Sequence, residues 1–182
     1  MQETSGVKRI DVLDLAPKAA WHSGQDIPVM WGQENRGPNS PGVADYLTDQ
    51  RMEDGKVVAR VLRTHPKFNG ETTIVGDFRL PRAIRPHDRL TASFGFYVAK
   101  GVPDCHTAGD AYFSAYLLDA ERTGAVQLFS ERDTGGDAKL RTKVIDLAAY
   151  QGARRLRLMV DAGATSHCDW AGWTKVVIRP SL

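Results

Sequence analysis

Apolar and polar residues alternate with a period of two in several segments, and this pattern constrains the fold more than any other feature of the sequence. One face of the segment 90–100 carries five apolar residues: Leu90, Ala92, Phe94, Phe96 and Val98. The same alternation occurs in 111–118 and 154–160. Successive side chains of an extended chain point to opposite faces, so each segment is predicted to be a strand with one buried face.

Weaker alternation predicts further strands, and turn residues separate them. These strands are Lys8–Leu13, Val57–Leu62, Thr72–Leu80, Ala125–Ser130, Leu140–Ile145 and Thr174–Arg179. Gly, Asn and Asp residues mark the turns, as in 68–70 and 134–137. No long segment has an apolar stripe at helical spacing, and a single helical turn is predicted at 146–150. About nine strands at short spacing predict an all-β fold, an antiparallel two-sheet β-sandwich.

Length and charge narrow the class of protein. The chain of 182 residues predicts one domain, 7–182, preceded by a linker or arm at 1–6. The net charge is +2 with both signs interspersed, which predicts no nucleic-acid partner. No apolar run approaches the ~20 residues of a membrane span. The first ten residues, MQETSGVKRI, lack the apolar core of a secretory signal. Residue 1 is either the native start or a boundary after a signal or upstream domain, and the linker-like first five residues favour the second interpretation.

Several phrases carry a resemblance to a known class of domain. They are AAWHSG (19–24), MEDG (52–55), NG…IVGDF (69–78), IRPHDRLTASFGF (84–96), VIDLAAYQG (144–152), LRLMVDAG (156–163) and DWAGW…VVI (169–178). In this order they resemble the galactose-binding-like, jelly-roll accessory domains of carbohydrate-binding type in bacterial surface and secreted proteins. The resemblance implies a non-catalytic module, extracytoplasmic or secreted, attached to other domains. Its motifs are turns, core aromatics and strand starts, so it assigns no ligand-binding residue.

Tryptophans are the first candidates for sugar contacts, because the apolar C–H face of a pyranose ring stacks on an aromatic ring. Trp21 and Trp173 lie next to strands and are predicted to be core residues. Trp31 and Trp170 lie in loops, are additional to the pattern of the resemblance, and are predicted to face a ligand. Three residues after Trp31 are candidate hydrogen-bonding partners: Glu34, Asn35 and Arg36. All four lie in 21–41, a segment without periodicity that is either functional or packed against the sandwich.

A second candidate surface is the polar face of the alternating strands. Tyr97, Tyr112 and Tyr116 are predicted to project outward from two neighbouring strands, with Arg155 and Arg157 outward from another. Aromatic residues and arginine are enriched at recognition surfaces. The alternative, cross-strand packing on a solvated face, is the one that the pattern favours.

The two cysteines lie in mirrored tripeptides, Asp104-Cys105-His106 and His167-Cys168-Asp169. A disulfide between Cys105 and Cys168 is the favoured interpretation, and it indicates an oxidising compartment. Two thiolates and the two imidazoles are also good zinc ligands, although adjacent Cys-His pairs have poor geometry for one metal ion. A cysteine nucleophile with a histidine base is the third interpretation.

A structural calcium ion is the cofactor that this class of sandwich suggests. Calcium takes several oxygen ligands, often including backbone carbonyls. The loop carboxylates that we predict as its ligands are Asp26, Glu34, Asp104 and Asp169. The alternative is that these carboxylates cap turns.

No motif of a known catalytic centre is present. The sequence lacks G-x-S-x-G, H-E-x-x-H, a P-loop and G-x-G-x-x-G, so it predicts no enzyme. The predicted function is binding of a carbohydrate or cell-surface glycan. Two alternatives remain: a structural or protein-interaction module without a sugar ligand, and a small metal-dependent enzyme that uses the mirrored loops.

Overall fold

Strands dominate the part of the chain that the computed structural model describes, which is 9–34, 40–67, 72–120, 124–163 and 166–181. These residues form strands β1 Ile10–Asp11, β2 Ala20–Ser23, β3 Val43–Arg51, β4 Val57–His65, β5 Thr73–Arg79, β6 Asp88–Phe96, β7 Asp110–Ala120, β8 Gly124–Thr134, β9 Arg141–Asp146, β10 Arg155–Asp161 and β11 Ala171–Pro180. Short 3₁₀ helices are η1 Val12–Lys18, η2 Cys105–Ala108, η3 Gly135–Asp137 and η4 Ala148–Tyr150. The predicted arm at 1–6 and the predicted turn at 68–70 lie outside the described residues.

The strands form two antiparallel sheets. Sheet A has the order β3-β4-β11-β6-β9, with β1 paired to β11, and sheet B has the order β2-β5-β10-β7-β8. The protein is therefore an antiparallel two-sheet β-sandwich, and the predicted fold class is confirmed. No helix in the described ranges is long and apolar enough to cross a membrane.

The predicted alternation places apolar residues between the sheets. Leu90, Ala92, Phe94 and Phe96 of β6 are all 0% exposed. Phe94 of sheet A stacks on Phe113 of sheet B with ring centroids 4.6 Å apart, and Trp173 packs edge-on against both rings. Burial of one such side chain stabilises the fold by roughly 1.5–3 kcal/mol, so this aromatic cluster holds the two sheets together.

The elements that sequence patterns miss lie at the margins of the sandwich. The sequence pattern predicts neither β2 nor β3. Burial does not alternate along β3, because part of the outer face of sheet A carries a second apolar cluster around Met52 and Val61. The predicted strand Lys8–Leu13 is shorter than expected. It ends at Asp11, whose Oδ1 accepts a hydrogen bond from the Leu13 amide (3.1 Å) and caps η1. The helical turn predicted at 146–150 is confirmed as η4.

Candidate functional site

The mirrored tripeptides meet in space, and they meet as a disulfide. Cys105 and Cys168 are bonded, with their Cα atoms 5.1 Å apart and a sequence separation of 63. The bond joins η2 to the loop between β10 and β11. The disulfide prediction is confirmed. Because both sulfur atoms are in the bond, neither cysteine offers a thiolate to a metal ion or to a substrate.

A cleft of about 270 Å³ opens beside the disulfide. Its walls come from four places: the end of η2, the start of β7, the facing part of β8, and the loop that carries Cys168. The lining residues are Ala108, Asp110, Tyr112, Arg132, Ala162, Gly163, His167 and Asp169. We call this site the Tyr112 cleft, because the Tyr112 side chain is 46% exposed and offers an open aromatic ring.

Strand pairing fixes the polar groups of the Tyr112 cleft. Arg132 lies directly opposite Tyr112 in the β7–β8 ladder. The Arg132 guanidinium donates from Nε and Nη2 to the two carboxylate oxygens of Asp110, at 2.8 and 2.7 Å. This fork-shaped hydrogen bonding lowers the pKa of Asp110 below its usual range. The cleft therefore presents a fixed carboxylate and a fixed guanidinium beside an aromatic ring.

Asp169 forms the buried side of the same cleft. Its side chain is 1% exposed, and its Oδ1 accepts a hydrogen bond of 2.6 Å from the Asp110 amide. Burial raises the pKa of Asp169 to about 7, although the hydrogen bond from the Asp110 amide opposes this shift. His167 and Asp169 belong to the loop that the disulfide ties down, so the bond positions this wall of the cleft.

The outward face of sheet B continues from the Tyr112 cleft as a polar and aromatic surface. Arg157 lies opposite both Tyr116 and Asp77, and it donates to Asp77 at 2.6 and 2.8 Å. The Tyr116 hydroxyl donates to Gln127 Oε1 at 3.1 Å. Tyr112 and Tyr116 thus share the face that was predicted for them, with Tyr112 exposed and Tyr116 half-buried.

Tyr97 does not belong to this surface: it projects from the outer face of sheet A, where other side chains cover it, so the prediction that it is an exposed neighbour of Tyr112 is wrong. The side chain is 3% exposed and packs with Met52, Val61 and Ala99. Burial raises the pKa of the Tyr97 hydroxyl, and the neighbouring Arg63 guanidinium opposes this rise. The error has a topological reason: β6 and β7 follow one another in the chain but lie in different sheets.

The two loop tryptophans are engaged in packing. Trp31 stacks on Trp21 at 6.2 Å and meets Tyr46 edge-on at 4.9 Å. Trp170 packs against His65 at 4.9 Å and lies 5.8 Å from Tyr97. Both tryptophans are half-buried, so they offer less free ring surface than Tyr112 does.

The residues after Trp31 have separate positions. Glu34 Oε1 accepts a hydrogen bond of 3.1 Å from Arg63. The predicted contacts of Asn35 and Arg36 lie outside the described residues. Their part in ligand binding stays a prediction.

The carboxylates predicted to bind calcium do not converge in the described part of the chain. Asp26 is exposed, its carboxylate lying 3.4 Å from His22 Nδ1, and Glu34 pairs with Arg63. Asp104 is exposed beside η2, while Asp169 is buried against Asp110. Neither of the two His, Cys, Asp and Glu groupings with metal-ligand spacing there contains any of these four carboxylates.

An acid cluster that the sequence did not reveal lies between β6 and β8. It consists of Glu53, Asp133 and Asp137, whose ligand atoms lie within 4.8 Å of one another. Glu53 Oε1 accepts a hydrogen bond of 2.7 Å from the Phe96 amide, and burial raises the pKa of Glu53 to about 8. Arg141 pairs with Asp133 at 2.9 Å and also with Asp137. The Arg141 guanidinium therefore balances part of the negative charge of the acid cluster.

The sequence does not indicate that Glu53 is buried, because Glu53-Asp54-Gly55 has the composition of an exposed turn. A detectable signal is Gly95. A Cβ atom at Gly95 would overlap Glu53 Oε1, so this strand glycine makes room for a buried acid.

Comparisons with known proteins address the fold. No protein-family model matches the chain, and no curated protein matches it at a significant level. Solved structures do match. A family 27 carbohydrate-binding module of Caldicellulosiruptor saccharolyticus, in complex with mannohexaose, aligns with a TM-score of 0.60 at 11% identity, over 97% of this chain and 99% of that chain.

Two further structures contain family 51 carbohydrate-binding modules. Tandem modules from a Streptococcus pneumoniae family 98 glycoside hydrolase align with a TM-score of 0.53 at 12% identity, over 90% of this chain and 48% of theirs. A Clostridium perfringens ZmpB structure aligns at 0.52 with 14% identity, over 88% of this chain, which spans 31% of that chain. The resemblance to carbohydrate-binding β-sandwich modules is therefore confirmed at the level of the fold.

Proposed function

We propose that this protein is a non-catalytic carbohydrate-binding module and that it holds its glycan at the Tyr112 cleft. The observation that carries the proposal is the exposed Tyr112 ring beside the Asp110–Arg132 pair. An aromatic ring stacks on the apolar face of a sugar. The guanidinium donates to sugar hydroxyls, and the carboxylate accepts from them, so the three side chains match the mixed surface of a pyranose.

The size of the cleft favours a short ligand. Small-molecule pockets begin at roughly 300 Å³, and the Tyr112 cleft has about 270 Å³. This volume lies just below that range, so we expect the cleft to hold a single sugar ring at most. The rest of an oligosaccharide would extend along the outward face of sheet B, past Tyr116.

The disulfide supports an extracytoplasmic location for this function. Disulfides persist in oxidising compartments, and the fold is that of modules found in larger proteins. We accordingly propose an extracytoplasmic module that brings a parent protein to a glycan.

A glycan array with purified wild-type protein and three variants tests the proposal. Tyr112→Ala removes the ring and is expected to weaken binding at least about tenfold, or about 1.4 kcal/mol. Tyr112→Phe keeps the ring and is expected to retain most of the affinity. Val144→Ala is the control, because Val144 is 59% exposed on the other sheet.

Two results would contradict the proposal. Binding that is unchanged in Tyr112→Ala would move the site elsewhere. Absence of binding to any glycan by a folded wild-type protein would favour a structural or protein-interaction module.

A further inference from the structure

A second cleft, of about 420 Å³, lies at the opposite end of sheet B and is basic. Its lining combines three cationic side chains with three apolar ones: Lys18, Arg79, Arg154, Leu15, Leu80 and Pro81. We call it the basic cleft. Strand β10 runs from Arg155, next to the basic cleft, to Asp161, which lies opposite Tyr112. Its seven residues separate the two clefts by roughly 20 Å.

Local structure brings the three cations together. β5 ends at Arg79, and the next amide, that of Leu80, donates a hydrogen bond of 2.8 Å to the Arg154 carbonyl. Lys18 ends η1, two residues before β2 begins to pair with β5. The ends of three chain segments therefore supply one positive charge each.

These charges lack acidic partners within the described residues. Lys18, Arg79 and Arg154 make no ion pair there, although Arg157 on the same sheet face pairs with Asp77 at 2.6 Å. Arg79 also lies directly opposite Arg155, another cation. Like charges that face each other across a ladder are destabilising, and here no carboxylate side chain pairs with them.

The carboxylate of Asp119, which contacts the backbone beside the basic cleft, is engaged with amides. Asp119 accepts hydrogen bonds from the amides of Arg154 and Arg155, at distances from 2.9 to 3.1 Å. The Asp119 carboxylate thus binds backbone amides and pairs with none of the three cationic side chains, which are exposed. No carboxylate side chain is among the residues that line the cleft, so an anionic group of a ligand would meet three cations there.

We propose that the basic cleft binds an oxyanion group, a carboxylate or sulfate, carried by an acidic polysaccharide. The guanidinium fork matches the planar geometry of a carboxylate and also pairs with tetrahedral oxyanions. Leu15, Leu80 and Pro81 form an apolar floor for the sugar ring that carries the group. The polysaccharide part rests on the proposed function, whereas the oxyanion site stands on the unpaired cations.

Binding of defined polymers to the folded protein tests this site. The probes are a sulfated glycosaminoglycan, polygalacturonate, polyphosphate and a neutral mannan, with affinities measured by isothermal titration at low ionic strength and again near 0.15 M. The double variant Arg79→Gln/Arg154→Gln is expected to lose at least about tenfold in affinity for the sulfated or carboxylated polymer. Arg51→Gln is the matched control, since Arg51 is an exposed arginine on sheet A and is expected to bind like wild type.

Each result supports or overturns the site. Equal losses of affinity in the double variant and in Arg51→Gln would show non-specific charge attraction and overturn the proposal. Absence of binding to both acidic polysaccharides would overturn it as well. Binding of polyphosphate alone would overturn the assignment to a polysaccharide. Tyr112→Ala separates the two proposals, because it is expected to lose neutral-glycan binding and to keep the binding of the acidic polymer.

Discussion

Glu53 is a buried acid whose protonation affects the stability of this fold. Burial raises its pKa from 4.5 to about 8, and burial also raises the pKa of Asp169, from 3.8 to about 7. Between the unfolded and folded pKa values, the folded protein binds more protons than the unfolded chain. The free energy of unfolding is therefore expected to fall as the pH rises from about 4.5 to about 8.

The variant Glu53→Gln tests this expectation. An amide keeps an oxygen that accepts from the Phe96 amide, and its uncharged NH₂ group is expected to donate to the neighbouring Asp133. Above pH 8 the variant is expected to be more stable than wild type by on the order of 2 kcal/mol. Urea denaturation across the pH range measures both curves. Wild-type stability that rises with pH over this window would contradict the assignment.

At the scale of elements, the disulfide anchors one end of the sandwich. Closing a loop of 63 residues stabilises the folded state by roughly 4 kcal/mol in the chain-entropy model. The double variant Cys105→Ala/Cys168→Ala is expected to lose roughly 2–4 kcal/mol. It should also bind glycan more weakly, because His167 and Asp169 stand on the released loop. Treatment with reductant should lower wild-type stability and leave the variant unchanged, and equal stability of the two oxidised proteins would be the contrary result.

Contact between η2 and η3 also shapes this end. A Cβ atom at Gly135 would overlap the His106 carbonyl oxygen, whereas one at Gly136 would lie 3.2 Å from the Thr107 carbonyl. Gly135→Ala is therefore expected to cost roughly 1–3 kcal/mol, because backbone must move. Gly136→Ala is the matched control and is expected to cost less. Denaturation midpoints compare the two variants, and equal costs would argue against close packing of these turns.

At the scale of the whole molecule, sequence periodicity predicts which face of each strand is buried, but it does not predict which strands share a sheet. The alternation of β6 predicts its buried face, since Phe94 and Phe96 need an apolar side whichever strand lies beside them. Sheet membership is different, because it depends on which strands pair after the chain has crossed the sandwich. Tyr97 and Tyr112 are neighbours by sequence pattern, yet Tyr97 directly follows β6 of sheet A and Tyr112 lies on β7 of sheet B.

The candidate sites show the same division. The disulfide was predictable because the sequence has two cysteines and both lie in loops. The Tyr112 cleft and the basic cleft each combine residues from three or more segments, and the acid cluster joins Glu53 to the distant stretch 133–137. No spacing within one segment signals such a site. Loop tryptophans were the stronger candidates by composition, but packing on Trp21 and Tyr97 occupies part of each ring.

The most direct test of the central claim is the mapping of amide chemical shifts in ¹⁵N-labelled protein titrated with the neutral oligosaccharide that binds best on the array. Binding at the Tyr112 cleft predicts saturable shifts centred on Asp110, Tyr112, Arg132, His167 and Asp169. Shifts centred on Trp31 or Trp170, or no shifts at any ligand concentration, would contradict it.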